Sequence, residues 1–321
     1  MSAVPFDGAE TRAQGKYEKL TAAAKQVPGA VTLVVHPCDE SSLRGVCEAA
    51  GAGIIKPVLV GPAGKIKAVA AQFNFDISRF EIVDAPHSEA AAARAVEFIH
   101  EAKGELLMKG SLHTDELMRS VTAKTGLRTD RRISHVFAID VPGHPQTLWI
   151  TDAAINIFPD LDTKRDIVQN AIDLYTGIGL GEPRVGILSA VETVTSKIPS
   201  TIEAAALCKM ADRGQITGAV LDGPLAFDNA VDPEAARIKG IKSPVAGQAQ
   251  ILLVPDLEAG NMLAKNLTFM AKADSAGIVL GARVPVILTS RADSLRARLA
   301  SCAISVLYAD ARRRKSNIAA A

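Results

Sequence analysis

The chain has 321 residues, more than one hydrophobic core ordinarily serves, and its 48% hydrophobic and 22% charged fractions are those of a globular protein. Lys plus Arg number 36 against 35 for Asp plus Glu, a balance that argues against nucleic acid or an anionic membrane as the main partner. No apolar run approaches the roughly 20 residues of a bilayer span. The opening MSAVPFDGAETRAQGKYEKL has no secretory h-region, and Cys38, Cys47, Cys208 and Cys302 form neither a CxxC pair nor a Cys/His cluster. The expectation is a cytoplasmic protein of two domains, with neither a disulfide framework nor a metal site.

The first ten to fifteen residues read as loose. A β-branched run at 30–36 is then followed by a helical pattern at 40–50. A second run at 54–61 leads into a helix near 65–72, a third at 80–85 into an alanine-rich helix at 89–103, and a fourth at 105–111 into a helix at 114–124. Strands alternating with helices predict βαβ units and a parallel sheet. The pattern breaks at ISHVFAIDVPGHPQTLWITDAA (133–154), where two strand-like runs flank Pro-Gly-His-Pro and predict an antiparallel hairpin. A domain boundary near 131 follows. Further strand-like runs fall at 184–190, 218–223, 250–256, 275–281 and 284–290, and a final helix at 293–312.

The glycines of GIGLGEP (Gly177, Gly179, Gly181) follow a helix and precede a strand, so they read as a helix end rather than a dinucleotide fingerprint. The six histidines show no metal spacing, and His135 reads as a core or cleft residue. Thr114 reads as a helix N-cap with Asp115 and Glu116 behind it. Arg119 then falls near the helix start, where the helix dipole disfavours a cation unless an anion is close. LTSRADS (288–294) presents the same puzzle. Ser290 with Asp293 fits a capping box. Equally, Ser290 and Arg291 at a strand end would make an anion site. Asp222 and Asp256 sit where two successive strands exit, so both are expected at one rim of the sheet, where open α/β folds bind ligands.

MKGSLHTDELMRSV (108–121), ISHVFAID (133–140), TDAAINIFPD (151–160), DGPLAFDNA (222–230), SPVAGQAQILLVPDLEAGN (243–261) and LTSRADS occur in this order. Together they resemble the phosphate acetyltransferase/phosphate butyryltransferase family, from about residue 30 onward. The resemblance implies an α/β fold with two α/β domains of the isocitrate/isopropylmalate dehydrogenase-like type, three-layer α-β-α with mixed sheets. Residues 1–131 plus 284–321 would form the first domain and 132–283 the second, with the active site in the cleft between them and a homodimer as the assembly. The implied reaction is reversible acyl transfer between acyl-CoA and inorganic phosphate, giving acyl phosphate and coenzyme A. Coenzyme A and acyl-CoA are then substrates, with no permanently bound cofactor and no metal.

By the same resemblance, Ser290 orients the coenzyme A sulfur and Arg291 stabilises the carbonyl oxygen and the phosphate. Arg119 binds phosphate, and Thr114, Asp222, Asp256 and Asn261 fall in the substrate-binding motifs. One departure is visible: the aspartate that the acetyltransferases carry seven residues after the serine, as the thiol's base, is here Ala297. TSRADS and TDAAINI look closer to the butyryl branch. Two alternatives remain open at this stage. One is a metal- and nicotinamide-dependent decarboxylating dehydrogenase of the same fold, and the other a coenzyme A or acyl-phosphate sensor without activity.

Overall fold

A computed structural model describes residues 15–289 and 293–320, with side chains to residue 317. Ser290 and Arg291 lie outside the described residues. In chain order the elements are α1 (Lys16–Ala24), β1 (Ala30–Val35), α2 (Glu40–Gly51), β2 (Ile55–Gly61), α3 (Ala63–Gln72), β3 (Glu81–Asp84), α4 (Ser88–His100), β4 (Leu106–Lys109) and α5 (Thr114–Thr122). The hairpin β5 (Ser134–Asp140) and β6 (Leu148–Thr151) follows, then α6 (Leu161–Gly177), β7 (Arg184–Leu188), α7 (Pro199–Asp212) and β8 (Val220–Leu225). The chain ends with α8 (Phe227–Val231), α9 (Pro233–Ile238), β9 (Ile251–Leu253), α10 (Leu257–Phe269), β10 (Asp274–Leu280), β11 (Val286–Ile287) and α11 (Leu295–Ala320). Short polar side chains start several helices: Asp39, Asp160 and Asp256 each accept a backbone N–H three residues on, all at 2.8 Å.

Among the described residues eleven strands form one sheet, in the order β3-β2-β1-β4-β11-β10-β5-β6-β9-β7-β8. From β3 to β11 neighbours run parallel, and from β6 to β8 they do so again. Between these blocks lie three antiparallel steps: β11 to β10, β10 to β5, and β5 to the expected hairpin partner β6. Three reversals leave the second parallel block pointing opposite to the first. The carboxyl ends of its strands therefore face the other edge of the sheet.

Helices cover both faces, so the central strands are apolar on both sides. On one face α1, α2, α3, α6, α7 and α11 share a core that includes Tyr17, Leu43, Ile66, Ile167, Leu207 and Ile304. The other face carries two separate cores. One joins α4 and α5 to β1 and β4 through Ala95, Leu117, Leu33 and Leu107. The other joins α10 to β6 and β9 through Ala264, Ile150 and Leu252. The surface over β10 and β5 lies between these two cores. Among the described residues no helix is long and apolar enough to cross a membrane, and all four cysteines are free.

The opening helix α1, unmarked in the sequence, docks on the antiparallel seam. Tyr17 is 1% exposed. Its hydroxyl donates to Ala138 O, lies 3.0 Å from Asp274 O, and accepts from Ala276 N at 3.0 Å, so it spans β5 and β10. Beside it Arg296 of α11 reaches Glu18 at 2.8 Å, Asp140 at 2.8 Å and Asp274 at 2.6 Å, and Lys16 reaches Asp140 at 2.8 Å. One guanidinium thus ties α1, β5, β10 and α11 together. Replacing Tyr17 by Phe keeps the ring but strands a buried N–H and a carbonyl, which costs about 1–3 kcal/mol per unsatisfied group. Urea unfolding of Tyr17→Phe is expected to show that loss, and an unchanged midpoint would show the hydroxyl to be dispensable.

Candidate active site

A cavity of about 470 Å³ opens over β10 and β5, between the two cores of that face. Its walls come from the end of β4, the start of α5, β5, the chain after β6, α10 and the segment that joins β11 to α11.

β4 delivers Lys109, which is 8% exposed and lines the cavity. Its ammonium donates to Gly110 O and Leu112 O, each at 3.3 Å. Gly110 must be glycine for this turn to form. Its N–H donates to Val35 O at 2.9 Å, and a Cβ there would lie 2.4 Å from that same oxygen. His113 and Thr114 follow at the head of α5 and also line the cavity.

On the opposite wall Asn261, Ala264, Lys265 and Thr268 project from one face of α10, as their i, i+3, i+4, i+7 spacing requires. Asn261 Nδ2 donates to Ala153 O at 3.2 Å and so ties α10 to the loop after β6. Asp152 organises that loop. It accepts from the N–H groups of Ala154 at 2.9 Å and of Ile155 and Asn156 at 3.1 Å, and from Asn156 Nδ2 at 2.7 Å. Burial still pushes its carboxyl above the ordinary aspartate value.

The inner wall carries His135 and Phe137, two residues apart on one face of β5, with ring centroids 4.2 Å apart, edge to face. His135 is 1% exposed, and burial lowers its imidazole from 6.5 to about 3. The ring is therefore uncharged at neutral pH. Among the described residues its Nδ1 has no hydrogen-bond partner. The ring lies over Gly277 of β10, where a Cβ would come within 2.8 Å of Nε2.

The sequence-based candidates divide. Thr114 and Asn261 line the cavity. Ser290 and Arg291 fall outside the described residues, but Thr289 and Asp293, on either side of them, both line it. Ser294 caps α11. Its Oγ accepts from Ala297 N at 3.1 Å, three residues on, and α11 begins at Leu295. Asp293, immediately before that cap, lines the cavity. Ala297 is 2% exposed, packed on α11.

Arg119 differs from its expectation. α5 is only nine residues long, so Arg119 sits in the last turn, where the dipole favours a cation. It is 71% exposed and faces Glu89 at 3.6 Å and Asp115 at 4.0 Å. Asp222 and Asp256 do not line the cavity and do not share a rim with β4. β7 separates their strands, and the reversed second block points both at the far edge. Asp222 sits within β8 and accepts from Gly223 N at 2.8 Å, while Asp256 caps α10.

Sequence reasoning passed over Lys109 and Lys265 and gave His135 no chemistry. For Lys109 a signal was present: a cation ending a wholly apolar strand, LLMK. The cavity joins a buried cation, Lys109, and an exposed one, Lys265, to an apolar lining of Leu112, Phe137, Ala154, Ala264 and Leu288. Such a site can hold an anion and an acyl chain together.

The family model of the phosphate acetyl/butaryl transferases matches residues 89–306, more than half of the chain. A phosphate acetyltransferase of Rhizobium meliloti is 73% identical over 95% of this chain and 96% of its own length. A phosphate butyryltransferase of Clostridium beijerinckii is 40% identical over 91% of this chain and 97% of its own. The crystal structure of a branched-chain phosphotransacylase from Enterococcus faecalis V583 superposes with a TM-score of 0.76 at 28% identity, covering 87% of this chain and 99% of that one.

The neutral imidazole has a consequence for stability. The unfolded chain protonates His135 from about 6.5 downward, whereas the folded chain does so only near 3. A depressed folded value means stability that is present above 6.5 and lost as pH falls toward 3. Denaturant midpoints of the wild type should therefore fall more steeply across that window than those of His135→Phe. Parallel curves would show that the imidazole is solvated in the folded state.

Proposed function

The chain belongs to the phosphate acetyl/butaryl transferase family and is a phosphate acyltransferase, and from that premise we propose how its cavity carries out the exchange. Acyl-CoA and phosphate meet over β10 and β5. A phosphate oxygen attacks the thioester carbon, a C–O bond forms, and the carbonyl oxygen becomes an oxyanion. The C–S bond then breaks, and its electron pair leaves on sulfur, which takes up a proton. In the other direction a thiol of pKa about 8.5 must lose that proton, so assistance is worth about tenfold.

Arg291 meets the phosphate and the carbonyl oxygen, and Ser290 orients the sulfur. One observation carries this assignment: Thr289 and Asp293, the nearest described residues on either side of the pair, both line the cavity. Lys109 and Lys265 supply further positive potential for the phosphates. Thr114 and Asn261 contact substrate from opposite walls. Arg119 takes phosphate, since ion pairs as long and exposed as its two yield readily to a stronger anion. The acyl group is acetyl in preference to butyryl, a reading supported by the 73% identity to the acetyltransferase.

The fold is of the isocitrate/isopropylmalate dehydrogenase type, with residues 1–131 plus 284–321 and 132–283 as its two lobes. The cavity walls support this, because α5 and α10 come from different lobes. The assembly is a homodimer, supported by exposed Phe158, Met262 and Met270, at 78%, 65% and 78%. Sedimentation should give twice the chain mass, and a monomer at micromolar concentration would overturn the dimer.

The test of the reaction is phosphate-dependent thiol release from acetyl-CoA and butyryl-CoA, side by side. Turnover is expected with both, faster with acetyl-CoA; no release above the phosphate-free rate would sink the proposal. Arg291→Ala should lower kcat/KM at least tenfold, since it removes a charge-assisted contact to the transition state. In the same assay Arg119→Ala should raise KM for phosphate more than it lowers kcat.

A further inference from the structure

His135 forms part of the cavity wall, and the exchange described above leaves it without a task. Three observations single it out. It is 1% exposed, yet its Nδ1 has no hydrogen-bond partner among the described residues. Gly277, opposite Phe137 in the sheet, keeps open the space the ring occupies, because any side chain there would strike Nε2 and Leu288 O, both at 2.8 Å. The ring also packs edge to face on Phe137, an apolar lining residue that suits an acyl group better than a phosphate.

A buried polar atom without a partner is rare in folded proteins and asks for an explanation. Packing alone does not supply one, since a phenyl ring would fill the same volume without the polar atom. A neutral imidazole carries one N–H donor and one lone pair. Here burial keeps it neutral, so it is a poor proton acceptor for a thiol but a ready donor to a developing anion. A neutral histidine acting as an electrophile in this way is an established catalytic device.

We propose that His135 is a catalytic residue of the acyl exchange: its uncharged imidazole donates a hydrogen bond to the carbonyl oxygen of the acyl group as negative charge gathers there. The imidazole keeps its proton throughout. The electron pair passes from the C=O bond to the oxygen and back as the C–S bond breaks, and sulfur takes its proton from solvent. This role rests on the phosphate acyltransferase reading. It leaves the guanidinium of Arg291 available to the phosphate.

The experiment compares wild type, His135→Phe and His135→Asn in phosphate-dependent thiol release from acetyl-CoA, with coenzyme A binding by calorimetry and thermal melting on each protein. His135→Phe is expected to lower kcat by about a hundredfold, the loss typical of removing one oxyanion donor. KM for acetyl-CoA and phosphate should stay within threefold, and coenzyme A affinity should be unchanged. His135→Asn, which restores an N–H, should recover at least fivefold of the loss in kcat. A kcat within twofold of wild type in His135→Phe overturns the role. So does an equal fall in both variants accompanied by lower melting temperatures or lost coenzyme A binding, which assigns the ring to packing. If the wild type itself fails to turn over, the acyltransferase reading falls first and takes this inference with it.

Discussion

The antiparallel ladder between β10 and β5, seven residue pairs from Asp274↔Asp140 to Leu280↔Ser134, is the joint on which the molecule depends. It unites two parallel blocks that run in opposite directions. Two parallel blocks, each covered by its own helices, would otherwise have no shared strand. Tyr17 seals the ladder from one side by bonding to both strands, and Arg296 clamps it with three carboxylates. On the opposite face the covering helices part, because α5 belongs to one block and α10 to the other. The cavity is what remains between them. Its position follows from the same reversal of strand direction that makes the joint necessary.

This placement explains the mixed character of the lining. Central strands are apolar on both faces, so a cavity over them inherits Phe137 and Leu288 as its floor. Polar groups can reach it only from strand ends and helix faces. Lys109 comes from the end of β4, Lys265 and Asn261 from α10, Thr289 and Asp293 from the flanks of the β11–α11 connection. Charges at the margin and hydrocarbon beneath are what a phosphate and an acyl thioester need at once. The low dielectric that keeps His135 uncharged also strengthens each of the marginal charges.

Much of the first block was legible in the sequence. β1 to β4 and their helices fall within a few residues of the periodicity, since short β-branched runs and capped helices carry local signals. The hairpin declared itself through Pro142, Gly143 and Pro145. Strand direction beyond the hairpin did not, because hydrophobic pattern is indifferent to it. That blindness left open which rim Asp222 and Asp256 share, and their strands exit together at the edge opposite the end of β4. Arg119 was misjudged for a smaller reason: α5 stops at Thr122, so its last turn was read as its first. α1 escaped notice because a nine-residue helix with three buried positions, Tyr17, Leu20 and Ala24, carries too little pattern. Among the residues that line the cavity, Thr114 and Asn261 stood out as members of motifs. His135 could not, since an isolated histidine in a strand reads the same whether its nitrogen is paired or stranded.

The order in which the sheet is completed bears on how the protein is made. β4 gains its outer neighbour, and β5 its inner one, only from residues 274–287, close to the end of the chain. A nascent polypeptide on the ribosome therefore holds two unzipped strand margins until residues 274–287 have been made, each able to stitch onto another copy. Helix α11 then closes over the repaired gap and against α1. A ribosome that stalls late would release a species whose sheet is still in two pieces and prone to aggregate.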